Sequence, residues 1–130
     1  MDVSVIIPAL NEEEGIQGTL QELKNVLNST NYTYEIIVIN DGSMDKTGEL
    51  ALQEGVRVLS HHTPQGYGAS IKEGVEQSRY DIILITDADG TYPCKDIPTL
   101  LKGMEDHDMV IGARVGHMRA IPLVRRPAKW

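Results

Sequence analysis

Two aspartates two positions apart, Asp87 and Asp89 in the string IILITDADGTYP, follow an apolar run that reads as a buried strand. On extended backbone an i, i+2 pair points both carboxylates to one side, about 6–7 Å apart by strand rise. A hard divalent cation, Mg²⁺ or Mn²⁺, can sit between them, because such an ion keeps few protein ligands and completes its shell from a diphosphate and water. The other reading of the pair is an Asx turn, with Gly90 relieving the backbone and Asp87 capping nearby amides.

Asp41 follows a second buried run, EIIVIN, and precedes Gly42-Ser43 with Asp45 close by. A carboxylate there can accept a hydrogen bond from a base imide N–H, or it can cap the helix that starts near Asp45. Pro8-Ala9-Leu10-Asn11-Glu12 after the first run offers backbone groups and one carboxylate, Glu12, able to hold ribose hydroxyls. Glu13 and Glu14 read as first-turn acids favoured by a helix dipole. Gln65-Gly66-Tyr67-Gly68-Ala69 leads into a helix, where its glycines let backbone approach a ligand. It is not a dinucleotide fingerprint, since the third glycine of G-x-G-x-x-G falls on Ile71. His61 and His62 read as solvated loop histidines outside any metal site, and Cys94 as an incidental thiol.

The elements that position these residues are short Val/Ile-rich runs alternating with helical periods. Strands are expected at 3–8, 34–40, 56–60, 81–86 and 109–112, and helices at 12–28, 47–54, 67–78 and 97–104. In the first helix Ile16, Leu20, Leu23 and Leu27 repeat at helical spacing, with Asn11 and Glu14 as a capping-box-like start. The order predicts right-handed crossovers and a doubly wound, mainly parallel α/β sheet of Rossmann-like type, with its ligand crevice at the carboxyl ends of the strands.

The 130 residues suit one domain, large enough to bury about two-thirds of its unfolded surface. Residues 1–113 carry all nineteen acids against seven Lys/Arg, a balance of −12, whereas 114–130 carry five cations and no acid. An acidic body argues against a nucleic-acid partner. The basic tail is the one stretch that invites a polyanion. No run approaches the ~18 apolar residues of a membrane span, no signal peptide is evident, and a single cysteine forms no internal disulfide. The reading is therefore cytoplasmic.

Together the strings VIIPALNEE, IIVINDGSMDKT, PQGYGASIKEG and IILITDADGTYP resemble the family 2 glycosyltransferases of GT-A fold, and most closely their polyprenyl-phosphate (dolichyl-phosphate) sugar transferase branch. The resemblance implies a UDP- or GDP-linked sugar bound across the strand ends. Pro8, Ala9 and Glu12 would meet base and ribose, Asp41 the base imide, and Gly66 and Ala88 the donor through backbone. Asp87 would hold ribose or metal-bound water, and Asp89 the metal. Arg114 matches an arginine that in related enzymes lies near the donor or acceptor phosphates; it also reads simply as a basic residue leaving the fifth strand.

Residues 1–114 then form the donor-binding part, and 115–130 a basic tail opening the acceptor side, which in the family runs well beyond this length. Asn40 stands where the family often carries another Asp. A polyprenyl phosphate is already an anion and needs no general base, so displacement with inversion can proceed by positioning and charge. The tail IPLVRRPAKW suits an anionic lipid at the cytoplasmic membrane face, and apolar surface on the last strands suits self-association. The competing readings are a nucleotide-binding module without turnover and a sugar-phosphate nucleotidyltransferase. The acidic PALNEEEGIQ argues against the second, which would carry a basic, Gly-rich phosphate loop. A phospho-acceptor receiver would need a lysine after the fifth strand, where Arg114 stands.

Overall fold

The structure, a computed structural model, describes residues 1–113. The chain divides into two compact units, Met1–Lys95 and Asp96–Trp130. In the first, β1 (Asp2–Ala9), α1 (Ile16–Asn28), β2 (Thr33–Asn40), α2 (Thr47–Gln53), β3 (Arg57–Ser60), α3 (Tyr67–Gln77) and β4 (Ile82–Ile85) alternate along the chain. All pairings are parallel and the strand order is β3-β2-β1-β4. The chain winds outward from β1 through β2 to β3, then returns to place β4 on the far side of β1. That reversal makes the sheet doubly wound and puts its topological switch point between the carboxyl ends of β1 and β4.

The central strands β1 and β2 form where Val and Ile dominate, as parallel strands buried on both faces require, while the edge strands β3 and β4 are half-buried. On one face Ile6, Ile37 and Ile39 are fully buried, with Leu59, Ile71 and Ile83 packed against them. Val3, Val5 and Ile7 alternate to the other face and are equally buried. Along α1 the residues Ile16, Leu20, Leu23 and Leu27 form one buried stripe, each worth about 1.5–3 kcal/mol relative to exposure. Lys24 ties α1 to the end of α2, donating to the Glu54 carbonyl at 2.7 Å and pairing with its carboxylate at 3.2 Å.

Pro8 sits near the end of a central strand, where proline ordinarily removes a ladder bond. The β1–β4 ladder has already finished, with Ile6 opposite Ile85 and Thr86 N–H donating to the Ile6 carbonyl. The Ala9 carbonyl points to the β2 side, where it accepts from Asp41 N–H, so Pro8 faces the β4 side. Proline therefore removes no ladder bond from the sheet there.

Two expectations are corrected. The first helix starts at Ile16 rather than near position 12, with Gly15 at its N-cap and no side-chain cap, so Asn11 and Glu14 do not make a capping box. The run 109–112 is not a fifth strand, and the sheet of the described residues has four. In the second unit α4 (Ile97–Gly103) follows a 3-10 turn at Cys94–Asp96, and the run lies along this helix. A Cβ built on Gly103 would stand 3.1 Å from a Val110 methyl, and one on Gly112 would stand 3.5 Å from Leu100. A short apolar run has no period that separates a strand from a segment packed on a helix.

Two helical glycines give opposite predictions. A Cβ on Gly74 would fall 2.5 Å from the Ile6 Cγ2, in the core, whereas nothing lies within 4 Å at Gly18. Gly74→Ala is expected to destabilise, because overpacking of about 1–3 kcal/mol exceeds the gain of up to about 1 kcal/mol in helix propensity. Gly18→Ala is expected to stabilise by about 0.5–1 kcal/mol. Urea midpoints of both variants against the parent measure the two signs.

Candidate functional site

Where the strands end, their loops carry backbone N–H groups with no sheet partner, and side-chain oxygens from neighbouring loops accept from them. Asn11 N–H donates to Ser43 Oγ at 3.0 Å, Glu12 N–H to Thr47 Oγ1 at 2.8 Å, and Glu13 N–H to Asp45 Oδ2 at 3.2 Å. In return Met44 N–H donates to Asn11 Oδ1 at 2.9 Å and Lys46 N–H to Glu13 Oε2 at 3.2 Å. The β1–α1 and β2–α2 loops are thus clasped reciprocally. Asn11 adopts φ +54°, a conformation asparagine tolerates better than most residues. Asp45 Oδ1 also accepts from Thr47 N–H and, at short range, from its hydroxyl. Burial alone would raise the Asp45 pKa, but these donors outweigh it and hold the carboxyl below its usual range.

Asp41 is 5% exposed, and its carboxylate is bonded on both oxygens. Oδ1 accepts from Gln65 N–H at 2.8 Å and faces His61 Nδ1 at 2.7 Å, while Oδ2 accepts from Gly66 N–H at 2.9 Å. Desolvation pushes its pKa up, and the two amides with His61 push it down further, for a net depression. Gly66 is held at φ +106°, so its N–H serves Asp41. Gly42 next door has φ +74°, and a Cβ there would meet Pro64 N at 2.5 Å. Glycine is therefore required by both the turn and the crossing chain.

His61 departs from the reading as a solvated loop residue. Its side chain is 8% exposed and lies between Asp41 and Glu73 of α3, which it contacts through Nδ1 and Nε2 respectively. Hydrogen bonds to the two carboxylates raise its pKa against the opposing effect of burial. Sequence reasoning missed this contact, although one signal points to it. Asn40 pairs with Ser60 across parallel strands, so the residues that follow, Asp41 and His61, are lateral neighbours.

On the far side of β1, β4 ends at Ile85, and Asp87-Ala88-Asp89-Gly90 forms a turn instead of extended strand. The premise of two carboxylates spaced by strand rise therefore does not hold. An Asx turn does form, on Asp89 where the sequence reading puts the cap on Asp87: Asp89 Oδ1 accepts from Thr91 N–H at 2.9 Å and from the Thr91 hydroxyl, and Gly90 has φ +74°. Ala88 is buried, its carbonyl accepting from Thr19 Oγ1 of α1 at 3.0 Å. Asp87 is half-buried and Asp89 exposed. Tyr67, at the start of α3, has its phenol raised by burial and then by Asp87 and Tyr92.

Glu12 joins the two sides of the crevice electrostatically. Its pKa is raised by burial and then by Asp89, Asp45 and Asp87, all of like charge. The loops after β1, β2 and β4 thus carry carboxylates within electrostatic range of Glu12, the chemistry that suits a hard cation. Among the described residues no three His, Cys, Asp or Glu side chains form a ready metal cage. An ion that takes most of its ligands from a diphosphate and water needs none, so these residues fit such an ion. Pro8 and Ala9 line the end of β1 beside this crevice. Arg114 lies outside the described residues, and no helix among them is long and apolar enough to cross a membrane.

The depressed carboxyls fix the sign of one pH effect. A lowered folded-state pKa adds stability that is present above the unfolded value, about 3.9, and is lost as pH falls through the folded one. Asp41→Asn is therefore expected to lower stability at neutral pH and to flatten the acid limb below about pH 4, as read by thermal melts across pH. An acid limb unchanged from the parent would contradict the bonding described for Asp41.

A profile of the family described as "Glycosyl transferase family 2" matches residues 4–129. The chain is 35% identical over 116 residues to the dolichyl-phosphate beta-glucosyltransferase of Mus musculus, covering 80% of this chain and 36% of that protein. It is 33% identical over 119 residues to the dolichol-phosphate mannosyltransferase of Pyrococcus furiosus, covering 88% and 33%. The fold superposes on glucosyl-3-phosphoglycerate synthase of Mycobacterium tuberculosis, solved with Mn²⁺, UDP-glucose and phosphoglyceric acid, with a TM-score of 0.74 and 26% identity, over 98% of this chain and 49% of that one. The chain spans roughly a third of the two curated relatives and half of the solved structure. The four-stranded parallel sheet is the Rossmann-like part of a GT-A fold, and the chain belongs to glycosyl transferase family 2.

Proposed function

We propose that this chain supplies the donor-binding part, within residues 1–114, of an inverting, divalent-cation-dependent glycosyltransferase that moves a sugar from a nucleoside diphosphate to a polyprenyl phosphate. What supports this reading is that Glu12, Asp45, Asp87 and Asp89 all follow strand ends, the Glu12 carboxyl being raised by burial and then by the like charges of the other three. A crevice there accepts a nucleotide across the strand ends. The concentrated negative charge calls for a cation that the donor's diphosphate would share.

In this reading Pro8, Ala9 and Glu12 face base and ribose. Asp41 fixes the loop against the base and keeps a lone-pair position on Oδ2 beyond its bonds to Gln65, Gly66 and His61. Gly66 and Ala88 border the donor through their backbone. Asp89 would hold the cation, with Asp87 on ribose or a metal-bound water. Bound there, the cation supplies charge to the departing diphosphate. The acceptor phosphate oxygen forms its bond to the anomeric carbon as the bond to the diphosphate breaks, and no side chain need remove a proton. Arg114 is assigned to the phosphates on the strength of the family resemblance.

The acceptor class is supported by the names of the mouse and Pyrococcus relatives, and the cation by the Mn²⁺ of the solved neighbour. The basic stretch from 114 onward, with five Lys/Arg and no acid, suits a lipid phosphate at the cytoplasmic membrane face. Self-association through apolar surface belongs to the same proposal.

The test is a thermal-shift panel of UDP, GDP, CDP and NAD, with and without Mn²⁺, on the parent and on Asp89→Ala. One nucleoside diphosphate at about 100 times its Kd is expected to add roughly 2.7 kcal/mol, only with Mn²⁺ and not in the variant. Stabilisation by NAD, or a diphosphate response indifferent to Mn²⁺ and to Asp89, would refute the reading.

A further inference from the structure

An ionised carboxylate only accepts hydrogen bonds, so an imidazole with a carboxylate oxygen at each ring nitrogen has a partner for both only when both nitrogens carry protons. His61 is in that position. Its Nδ1 lies 2.7 Å from Asp41 Oδ1, and its Nε2 meets Glu73 Oε2 in a short contact. Asp41 in turn accepts from the amides of Gln65 and Gly66, and His61 N–H donates to the Asn40 carbonyl at 2.9 Å. Three elements meet at one ring: the end of β2, the loop after β3, and α3. The charged and titratable groups facing the ring are Asp41 from β2 and Glu73 from α3; Ser60, before it on β3, is neutral and accepts from Asn40 Nδ2.

We infer that His61, as an imidazolium braced by Glu73, is a positioning residue for the nucleotide site: it holds Asp41 and, through Asp41, the Gln65–Gly66 backbone in the shape that receives the donor's base. The inference rests on the donor-site reading above and adds a residue that does not itself touch the ligand. Neutral His61 keeps a single donor, so one of its two carboxylate contacts becomes lone pair against lone pair and the brace opens. The sign follows from the geometry. The clamp is complete below the His61 pKa while both carboxylates stay ionised, and is lost as pH rises through that pKa, which lies above its ordinary 6.5.

The experiment pairs two readouts on the full chain. The His61 ring is titrated by NMR without ligand, and the Kd of the nucleoside diphosphate selected by the thermal panel is measured with Mn²⁺ across the same pH range. Both are repeated in Glu73→Gln, with near-UV circular dichroism as the check on folding. A second variant, His61→Gln, shows the pH dependence that belongs to the ligand's own phosphates.

Above that dependence, binding by the parent is expected to weaken about tenfold, the scale of one charge-assisted hydrogen bond, as pH passes the His61 midpoint. Glu73→Gln is expected to move both midpoints down together. A purely structural role would leave the binding midpoint where it was. A His61 midpoint at or below 6.5, or parent and Glu73→Gln binding profiles that coincide with that of His61→Gln, overturns the inference. Failure of the parent to bind any nucleoside diphosphate overturns the donor-site reading and the positioning role with it, whereas the ring titration still reports whether the brace exists.

Discussion

Backbone amides at the ends of parallel strands have no further strand to bond, and where they are part-buried, as at Glu12, Gln65 and Gly66, leaving them without acceptors would cost about 1–3 kcal/mol each. In this protein the acceptors are side-chain oxygens of the neighbouring loop. Ser43, Asp45 and Thr47 take the amides of 11–13, Asn11 and Glu13 return the bond to 44 and 46, and Asp41 takes the amides of 65 and 66. This exchange ties the loops after β1, β2 and β3 into one rim, and two of the carboxylates near Glu12, Asp45 and Asp89, are themselves held by backbone amides.

That rim meets a sheet built to stop there. β4 finishes opposite Ile6, two residues before the proline in β1, and the chain turns at 87–90 under a buried Ala88 that Thr19 pins to α1. Burial, and then the like charges of Asp89, Asp45 and Asp87, raise the cost of ionising Glu12. In the proposed function a cation shared with a diphosphate would relieve that crowding, and catalysis by charge and positioning would ask little more of the protein.

Much of this was legible in the residues. Apolar runs marked the four strands, most continuous in the central pair, which is buried on both faces. The Ile16, Leu20, Leu23 and Leu27 period marked α1, and the alternation of elements implied the doubly wound sheet. That polar loops follow β1, β2 and β4 was legible as well. What sequence could not show was which loop oxygen meets which amide. Asn11 looked like a helix cap because its type suits caps; it bonds Met44 because φ +54° turns its side chain to the next loop. His61 looked solvated because its neighbours in sequence are polar. Its real neighbours come from β2 and α3, which only the sheet order brings together. The run at 109–112 looked like a strand because hydrophobicity does not encode a partner.

The central claim is that the ligand and its ion occupy the crevice between the carboxyl ends of β1 and β4 rimmed by these loops. It is tested most directly by paramagnetic relaxation in the ¹⁵N-labelled chain, with trace Mn²⁺ added alongside excess Mg²⁺ and the nucleoside diphosphate. The account predicts that amide signals of 10–13, 43–46 and 87–91 broaden first, and that those at the opposite end of the sheet, 31–34 and 79–82, stay sharp. Broadening centred on that opposite end, or spread evenly over the acidic surface, would contradict it.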